Sequence, residues 1–368
     1  MESENIYYKD YLQLKEILNS QQPRSFLAGN QPAHDEMLFI IIHQAFELWF
    51  KQILFELDYV RSVFGQKKIN DNSEEMNLVF HRLQRIEKIL ELLNQQVGIL
   101  DTMTPLDFLE FRNLLTPASG FQSVQFRLIE AKLGLQMEKR HHADYYKRTN
   151  TGGFNPEDFE SIHKVESDRS LLQMVNDWLE RLPFFEMEFW TNYRPAYPPD
   201  RLHPFWNDYR NIYIDGLNSY EKGKIPEFEF LFFEIIPDNA SPEDTVQLNA
   251  LRHQLSPAAM RAALFIMLYR DFPVFQNSFR ILDTLVDIDN RLAGWRHAHY
   301  RMVRRMIGMR VGTGNTSGAG YLEGAASKHY IFRDIAGLST YLIERKKLPR
   351  LPDELISNLG FADTGRRQ

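Results

Sequence analysis

The sequence predicts a mainly α-helical protein, built as one large helical bundle with a small helical and loop-rich insertion. Apolar residues recur at steps of three and four over long stretches, which is the spacing of a buried helix face. Strand signals are scarce, because no alternating run of apolar and polar residues is closed by an Asn-Gly or Asp-Gly turn. The chain has 368 residues, of which 43% are hydrophobic, so it can bury a large core.

Two long helices are predicted in the first hundred residues. Residues 34–66 form one helical pattern that is apolar nearly all round at its start, so we expect that part to be buried. Residues 75–98 predict a second helix, in which these side chains share one face: Leu78, Leu83, Ile86, Ile89, Leu90 and Leu93.

Two shorter helices follow. Thr104 is a good N-cap and Pro105 suits the first helical position, so a third helix should begin there. It should end near Thr116, because Pro117 disfavours helical backbone in the residue before it. Residues 121–140 predict a fourth helix.

The second half of the chain contains the insertion. Residues 147–158 are polar and predict a loop. Residues 183–242 are rich in proline and aromatic residues, which predicts loops and short helices within an insertion that spans 183–255. Helices should resume near Ser256, and one long helix should run from about Asn277 to Ile307.

Composition excludes several classes of protein. A net charge of −6 argues against nucleic-acid binding, which needs a basic surface. The chain has no cysteine, so any metal must be bound by His, carboxylate or Tyr. The N-terminus lacks the pattern of a signal peptide, and the longest aliphatic run, 37–42, is too short to span a bilayer. We therefore expect a cytoplasmic protein with no nucleic-acid or membrane partner.

The most informative stretch is GWRHAHYRMVRRMIG, at the end of the last long helix. His299 should point into the core, whereas His297 lies off the apolar stripe, together with Arg301 and Arg304. A buried neutral imidazole is a good axial ligand for haem iron, but a core histidine held by a hydrogen bond is the alternative. The stripe consists of Leu285, Ile288, Leu292, Trp295, His299, Met302 and Met306.

His43 has the same character. Phe39, His43, Phe46 and Phe50 fall on one face of the first long helix. A second buried histidine in a chain without cysteine favours a metal or cofactor site, while a structural core histidine stays open as the alternative.

An arginine interrupts an apolar face in the third helix. Phe108, Arg112 and Leu115 share this face, and Ser119 lies just past the predicted helix end. A planar guanidinium can bind a carboxylate through two parallel hydrogen bonds, so a bound anion is one explanation. An internal salt bridge is the other.

Two further stretches of the sequence have features of a binding site. The stretch 308–320 has five glycines in thirteen residues, which predicts a loop able to close over a ligand; its spacing and its place after a helix do not match a dinucleotide-binding loop. Glu138 with His141, and Glu160 with His163, match the Glu-x-x-His spacing of di-iron helical bundles, although both pairs lie in polar surroundings.

Three long blocks closely resemble the tryptophan 2,3-dioxygenase family. They are HDEMLFIIIHQAFELWFKQILFELD (34–58), MTPLDFLEFRNLLTPASGFQSVQFRLIE (103–130) and WRHAHYRMVRRMIG…GTG..SG…YL (295–322). The similarity also reaches YKDYLQLKEIL near the N-terminus and FRDIAGLSTYLI near the C-terminus, and it weakens from about 140 to 255.

The resemblance implies a mainly helical homotetramer with one haem b per chain, ferrous in the active state. It divides the chain into an N-terminal segment, 1–33, exchanged with a neighbouring subunit, and a helical haem domain, 34–368. Tyr8, Tyr11 and Leu12 match residues that reach into the neighbour's pocket, so the active sites would be shared across subunits.

The resemblance also implies roles within the haem domain. His299 matches the proximal haem ligand, and His43 matches the distal histidine that meets the indole N–H. Arg112 matches the residue that holds the substrate carboxylate, and Thr313 the one that binds the amino-acid head group. The remaining matches are Phe39, Phe108 and Leu115 for the pocket wall and Ser119 for a polar residue close to the haem.

The implied reaction opens the indole ring of L-tryptophan with O2 and gives N-formylkynurenine. The usual GTGGSSG is GTGNTSG here, with Asn315 and Thr316, and Arg304 stands where a His is common. These differences bear on the substrate rather than on the haem, so a haem oxygenase of the same fold acting on another indole is an alternative, as is a non-catalytic haem sensor. Arg112 and Thr313 favour an amino-acid substrate, because a free indole has no carboxylate to hold.

Overall fold

The fold is helical throughout the part of the chain that the structure describes. A computed structural model describes residues 6–135, 154–182, 184–237, 240–251, 253–308, 310 and 329–359. These residues contain no β-strand, so the predicted mainly α class is confirmed.

The α-helices differ widely in length, from one turn to nearly ten. In chain order they are α1 Tyr8–Tyr11, α2 Leu14–Leu18, α3 Glu36–Phe64, α4 Glu74–Leu100, α5 Pro105–Arg112, α6 Val124–Leu133, α7 Pro156–Ser167, α8 Leu171–Glu180, α9 Pro204–Gly216, α10 Ile225–Phe233, α11 Pro242–Ala250, α12 Pro257–Leu268, α13 Pro273–Ile307, α14 Arg333–Gly337 and α15 Asp353–Leu359.

The chain divides into two compact units. The first comprises Met1–Leu57, Arg85–Asp168 and Asn290–Tyr330, and the second comprises Asp58–Gln84, Arg169–Asp289 and Ile331–Gln368. Both histidines on the predicted apolar faces, His43 and His299, belong to the first unit.

Helix α3 has a buried and an exposed apolar face. Phe46 and Phe50 are 5% and 3% exposed. Ile41, Leu48 and Phe55, each seven residues from the next, are 47%, 56% and 72% exposed. The predicted helix is confirmed, but the expectation that its start is buried all round is wrong. The apolar surface of α3 therefore exceeds what the described part of the chain covers.

By length and composition alone, α3 is also the one described helix that could cross a membrane. The sequence had indicated no such segment, because its longest purely aliphatic run is short. Lys51 lies exposed on α3 and Glu47 lies half-buried one turn earlier. A span here would therefore place charged side chains among the apolar ones, which is costly in a bilayer.

Helix α5 begins as predicted and ends early. The Thr104 hydroxyl accepts the Asp107 N–H at 3.3 Å, and the Asp107 carboxylate accepts the Thr104 N–H at 2.8 Å. This reciprocal pair is a capping box. The predicted end near Thr116 is wrong, because the chain tightens after Arg112 and the Leu114 N–H donates to the Phe111 carbonyl at 2.9 Å.

Helices α6 and α7 also differ from their predicted bounds. Helix α6 covers only the middle of the predicted 121–140, of which residues 136–140 lie outside the described chain. Asn155 caps α7, so the described end of the predicted polar loop 147–158 is already helical.

Helix α13 carries the predicted apolar stripe. It begins four residues before the predicted start, with Pro273 in its first turn, where proline is well tolerated. Leu285, Ile288 and Leu292 are fully buried, and Met302 is 9% exposed, which confirms the stripe. Within the first unit, this helix comes close to α4. The Asn94 side chain donates to the Arg291 carbonyl at 3.0 Å.

The second unit is built around aromatic side chains. The predicted loop-rich segment contains α9, of 13 residues, followed by α10 and the start of α11, so it is more helical than expected. The reason is that aromatic packing, rather than a regular apolar spacing, holds these helices. The fully buried rings include Phe205, Tyr209, Phe228, Phe232 and Phe265.

Candidate active site

A cavity of about 200 Å³ lies within the first unit. Its wall includes side chains of α3, α5, α6 and α13 and of the segment around Ser119. The wall is mainly apolar, and six of its rings are those of Phe39, Phe46, Phe50, Phe108, Phe126 and Trp295. Such a wall suits a flat aromatic ligand.

The structure brings six of the predicted site residues to this cavity. They are Phe39, His43, Phe108, Arg112, Ser119 and His299.

Four of the other predicted site residues do not line the cavity. Leu115 is half-buried and does not line the cavity. Tyr8, Tyr11 and Leu12 are exposed to 70%, 71% and 36% on the N-terminal segment, away from this chain's own cavity wall. Thr313 and the rest of the glycine-rich stretch lie outside the described residues.

His299 reaches the cavity from the buried stripe of α13. Burial lowers its pKa to about 4, and repulsion from His43 and Arg127 adds to the effect. The imidazole is therefore neutral at pH 7, and a neutral imidazole has a lone pair for a metal ion. Its ring stacks on that of Trp295, with centroids 5.3 Å apart and planes 21° apart.

His43 has a defined tautomer. Its Nδ1 lies 2.7 Å from the Phe39 carbonyl oxygen. A carbonyl only accepts, so Nδ1 carries the hydrogen and Nε2 is left as an acceptor. Burial lowers the pKa of His43, and the bond to Phe39 and the charge of Glu47 oppose this shift only in part. His43 is therefore a neutral hydrogen-bond acceptor at the cavity wall.

Arg112 is the last residue of α5, and the capping box at Thr104 fixes the start of this short helix. Arg112 is half-buried in a largely apolar wall. The Phe108 ring lies one turn earlier and packs 5.9 Å from that of Phe39. A guanidinium in this setting can bind a carboxylate through charge attraction and through two parallel hydrogen bonds that fix the orientation of the carboxylate.

Ser119 caps the short 3₁₀ helix Gly120–Gln122. Its hydroxyl oxygen accepts the Phe121 N–H at 3.4 Å, and the Gln122 side chain accepts the Ser119 N–H at 3.1 Å. The hydroxyl hydrogen is a separate donor, so Ser119 adds one polar contact to the wall.

Several cavity residues were missed by the sequence analysis. Phe46, Phe50 and Trp295 already lay on the recognised helix faces and could have been proposed from that pattern. A second group is polar and almost fully buried, and helical spacing gave no sign of it, since charged residues are usually exposed. This group consists of Arg127, Glu130, Arg296 and His329.

The described residues do not support the di-iron alternative. Glu160 and His163 lie exposed on α7, where the His163 ring stacks on Phe159 at 6.3 Å. Glu138 and His141 fall outside the described chain. Elsewhere in the described ranges, no three His, Asp or Glu side chains come together to hold a metal ion.

The fold and the cavity define a helical protein with an interior site for a flat ligand, whose wall carries the neutral imidazoles of His43 and His299 and the guanidinium of Arg112. A sequence model of the tryptophan 2,3-dioxygenase family matches residues 1–199 and 237–342. The chain belongs to the tryptophan 2,3-dioxygenase family.

Individual relatives show the same similarity over nearly the full length. The chain is 41% identical to a tryptophan 2,3-dioxygenase of Bdellovibrio bacteriovorus, over 97% of this chain and 98% of the relative. It is 41% identical to the tryptophan 2,3-dioxygenase of Dictyostelium discoideum, over 97% of this chain and 88% of the relative. It is 38% identical to that of Rattus norvegicus, over 94% of this chain and 84% of the relative. The internal stretch that the family model leaves unmatched, 200–236, lies within the proline- and aromatic-rich segment.

Proposed function

We propose that this chain is a haem-dependent dioxygenase that cleaves the indole C2–C3 bond of L-tryptophan with O2 and gives N-formylkynurenine. One observation carries the proposal: His43, Arg112 and His299 line a single aromatic cavity in a member of this family. The three side chains offer an acceptor for an indole N–H, a cation for a carboxylate and a ligand for iron.

The residues present fit one haem b per chain. His299 is neutral, lies on α13 at the cavity wall, and would hold the haem iron through its imidazole. The surrounding rings supply the apolar surface that a porphyrin needs, and the Trp295 indole N–H is buried without a partner among the described residues. When bound, ferrous haem supplies the O2 chemistry that amino-acid side chains lack.

The protein's own contribution is orientation of the substrate. The indole ring would pack against Phe39 and Phe108, and its N–H would donate to Nε2 of His43. Arg112 would hold the carboxylate through a bidentate pair. This arrangement presents one edge of the indole ring in a fixed direction and excludes water from it. Thr313 would bind the amino-acid head group, as the family resemblance implies.

Arg112 favours tryptophan over an indole that has no carboxylate. The Arg112 guanidinium on the cavity wall can bind a substrate carboxylate through two parallel hydrogen bonds, so a substrate that carries a carboxylate gains affinity. Ser119 can offer a further hydrogen bond at the cavity wall. Leu115, which the resemblance assigns to the pocket wall, would have to turn towards the cavity when substrate binds.

We also propose a cytoplasmic homotetramer with active sites shared across subunits. Tyr8, Tyr11 and Leu12 are exposed in this chain, as expected of side chains that pack into a neighbour's pocket when 1–33 is exchanged. The exposed apolar face of α3 supports contact with another copy. Lys51, exposed on the same helix, makes a lipid contact the poorer explanation.

The deciding experiment follows the product optically. Haem-supplied, reduced protein is mixed with L-tryptophan and O2, and the absorbance of N-formylkynurenine should grow. Matched reactions contain tryptamine or indole, which lack the carboxylate. Turnover of these compounds but not of tryptophan would favour the alternative substrate, and protein without a Soret band would overturn haem dependence.

A further inference from the structure

A buried charged cluster lies on the cavity wall and has no role in the proposed function. It consists of Arg127 and Glu130 on α6, Arg296 on α13 and His329, with exposed fractions of 5%, 0%, 3% and 1%. All four residues line the cavity. Moving such charged groups out of water is costly, and apolar side chains of similar size would fill the same space. Packing therefore does not explain why charged residues occupy these positions.

One carboxylate orients both arginines. Nη1 of Arg127 donates to Oε2 of Glu130 at 2.8 Å, and Nη2 of Arg296 donates to Oε1 at 2.8 Å. Nη1 of Arg296 also donates to the His329 carbonyl at 2.9 Å. The guanidinium groups are therefore held in place rather than free to turn towards solvent.

The cluster lies on the His299 side of the cavity. The Arg127 and Arg296 guanidinium carbons lie 5.5 and 5.9 Å from the centroid of the Phe126 ring. That ring is 4.8 Å from the Trp295 ring, which stacks on His299. Two packed rings therefore link Arg127 to His299.

We propose that Arg127, oriented by Glu130, is a positioning residue that acts through His299, and that its fixed positive charge favours the ferrous state of the bound haem iron. The inference rests on the proposed function. Reduction adds one electron to the iron, so a nearby positive charge stabilises the product of that step. In a wall of low dielectric, this interaction is screened less than it would be in water.

The test is a mediated redox titration of the full-length, haem-loaded protein. Arg127→Met should raise the ratio of ferric to ferrous haem at a fixed potential by about tenfold, which is a shift of about 59 mV to lower potential for one electron. Arg127→Lys keeps the charge and should change the ratio far less. Arg291→Met is the matched control, because it removes a paired arginine of α13 that does not line the cavity.

Glu130→Gln gives an independent arm with the opposite sign. It removes a negative charge and should lower the ferric-to-ferrous ratio. Damage to packing would shift the ferric-to-ferrous ratio in the same direction in both variants. Shifts of opposite sign in Arg127→Met and Glu130→Gln therefore support the proposal. If one of the two variants does not fold, the redox titration of the other is still sufficient to test the proposal.

Three outcomes would overturn the inference. They are an unchanged ratio in Arg127→Met, shifts of the same sign in both variants, and loss of haem from every cluster variant while Arg291→Met retains it. Failure of the unaltered protein to bind haem would instead overturn the proposed function.

Discussion

The Trp295 indole stacks on the His299 imidazole, one helical turn further along α13, with ring centroids 5.3 Å apart. Phe46 and Phe50 meet the indole edge-on, each at 5.9 Å. Among the described residues, no hydrogen bond holds either nitrogen of His299. Aromatic packing therefore sets the direction of this imidazole.

Replacing Trp295 should disturb haem binding through His299. We expect Trp295→Ala to lower the free energy of unfolding by about 3 kcal/mol, because it opens a cavity among packed rings, and to weaken haem binding. Trp295→Phe keeps a ring against His299 and should cost less than about 1.5 kcal/mol. Urea unfolding and haem titration measure the two effects. Equal haem affinity in the Ala variant would show that the stacking does not orient His299.

Haem loading should depend on His299 and not on its neighbour. His299→Ala removes the proposed iron ligand, so purified, haem-supplied protein should show no stable Soret band. His297→Ala is the matched control, because His297 lies exposed on the same helix. Normal haem content in His299→Ala would exclude this residue as the ligand.

Arg112 should control the affinity for tryptophan. Arg112→Leu should raise the KM for tryptophan roughly tenfold to a hundredfold, since a charge-assisted pair contributes about 1.5–3 kcal/mol. Arg112→Lys keeps the charge but loses the bidentate geometry, so its KM for tryptophan should lie between those of the unaltered protein and Arg112→Leu. Binding of indole, which has no carboxylate, should not change. A KM for tryptophan that stays constant in Arg112→Leu would remove the carboxylate role.

His203 should make the second unit sensitive to acid. Its Nδ1 accepts the Phe205 N–H at 3.2 Å at the start of α9, and burial lowers its pKa from 6.5 to about 4. The folded state therefore favours the neutral ring. Its contribution to stability is present above pH 6.5 and is lost as the pH falls towards 4.

The matched variant for this prediction is His203→Asn. Asparagine also caps a helix but does not titrate, so the variant should lose less stability than the unaltered protein between pH 7 and pH 4. His81→Asn, at an exposed position of α4, serves as the control. Urea unfolding at each pH gives the comparison, and parallel curves for all three proteins would contradict the prediction.

The capping box of α5 should contribute to the site indirectly. Thr104→Ala removes the acceptor for the Asp107 N–H and should cost about 1 kcal/mol, whereas Thr104→Ser retains it. Because α5 carries Phe108 and Arg112, we also expect a higher KM for tryptophan in the Ala variant. If Thr104→Ala is as stable as Thr104→Ser, the side-chain cap does not stabilise α5.

Much of the fold followed from local patterns. The stripe on α13 placed His299 inside, and the Thr104-Pro105 pair located the start of α5, because each signal depends on residues one or two turns apart. Helix ends were less predictable. After Arg112 the chain forms tight turns, and the residue types found there do not by themselves predict them.

Helical periodicity was enough to predict the helical class, the two inward histidines and the arginine among apolar residues, because it assigns each side chain to a face of its helix. The shared cavity could not be predicted in this way, nor could the contact of Glu130 with Arg296, 166 positions away. The tertiary structure also showed that part of the apolar surface of α3 is exposed. The physical reason is that periodicity reports what a residue's own helix presents, while pairing and burial depend on segments that are remote in sequence.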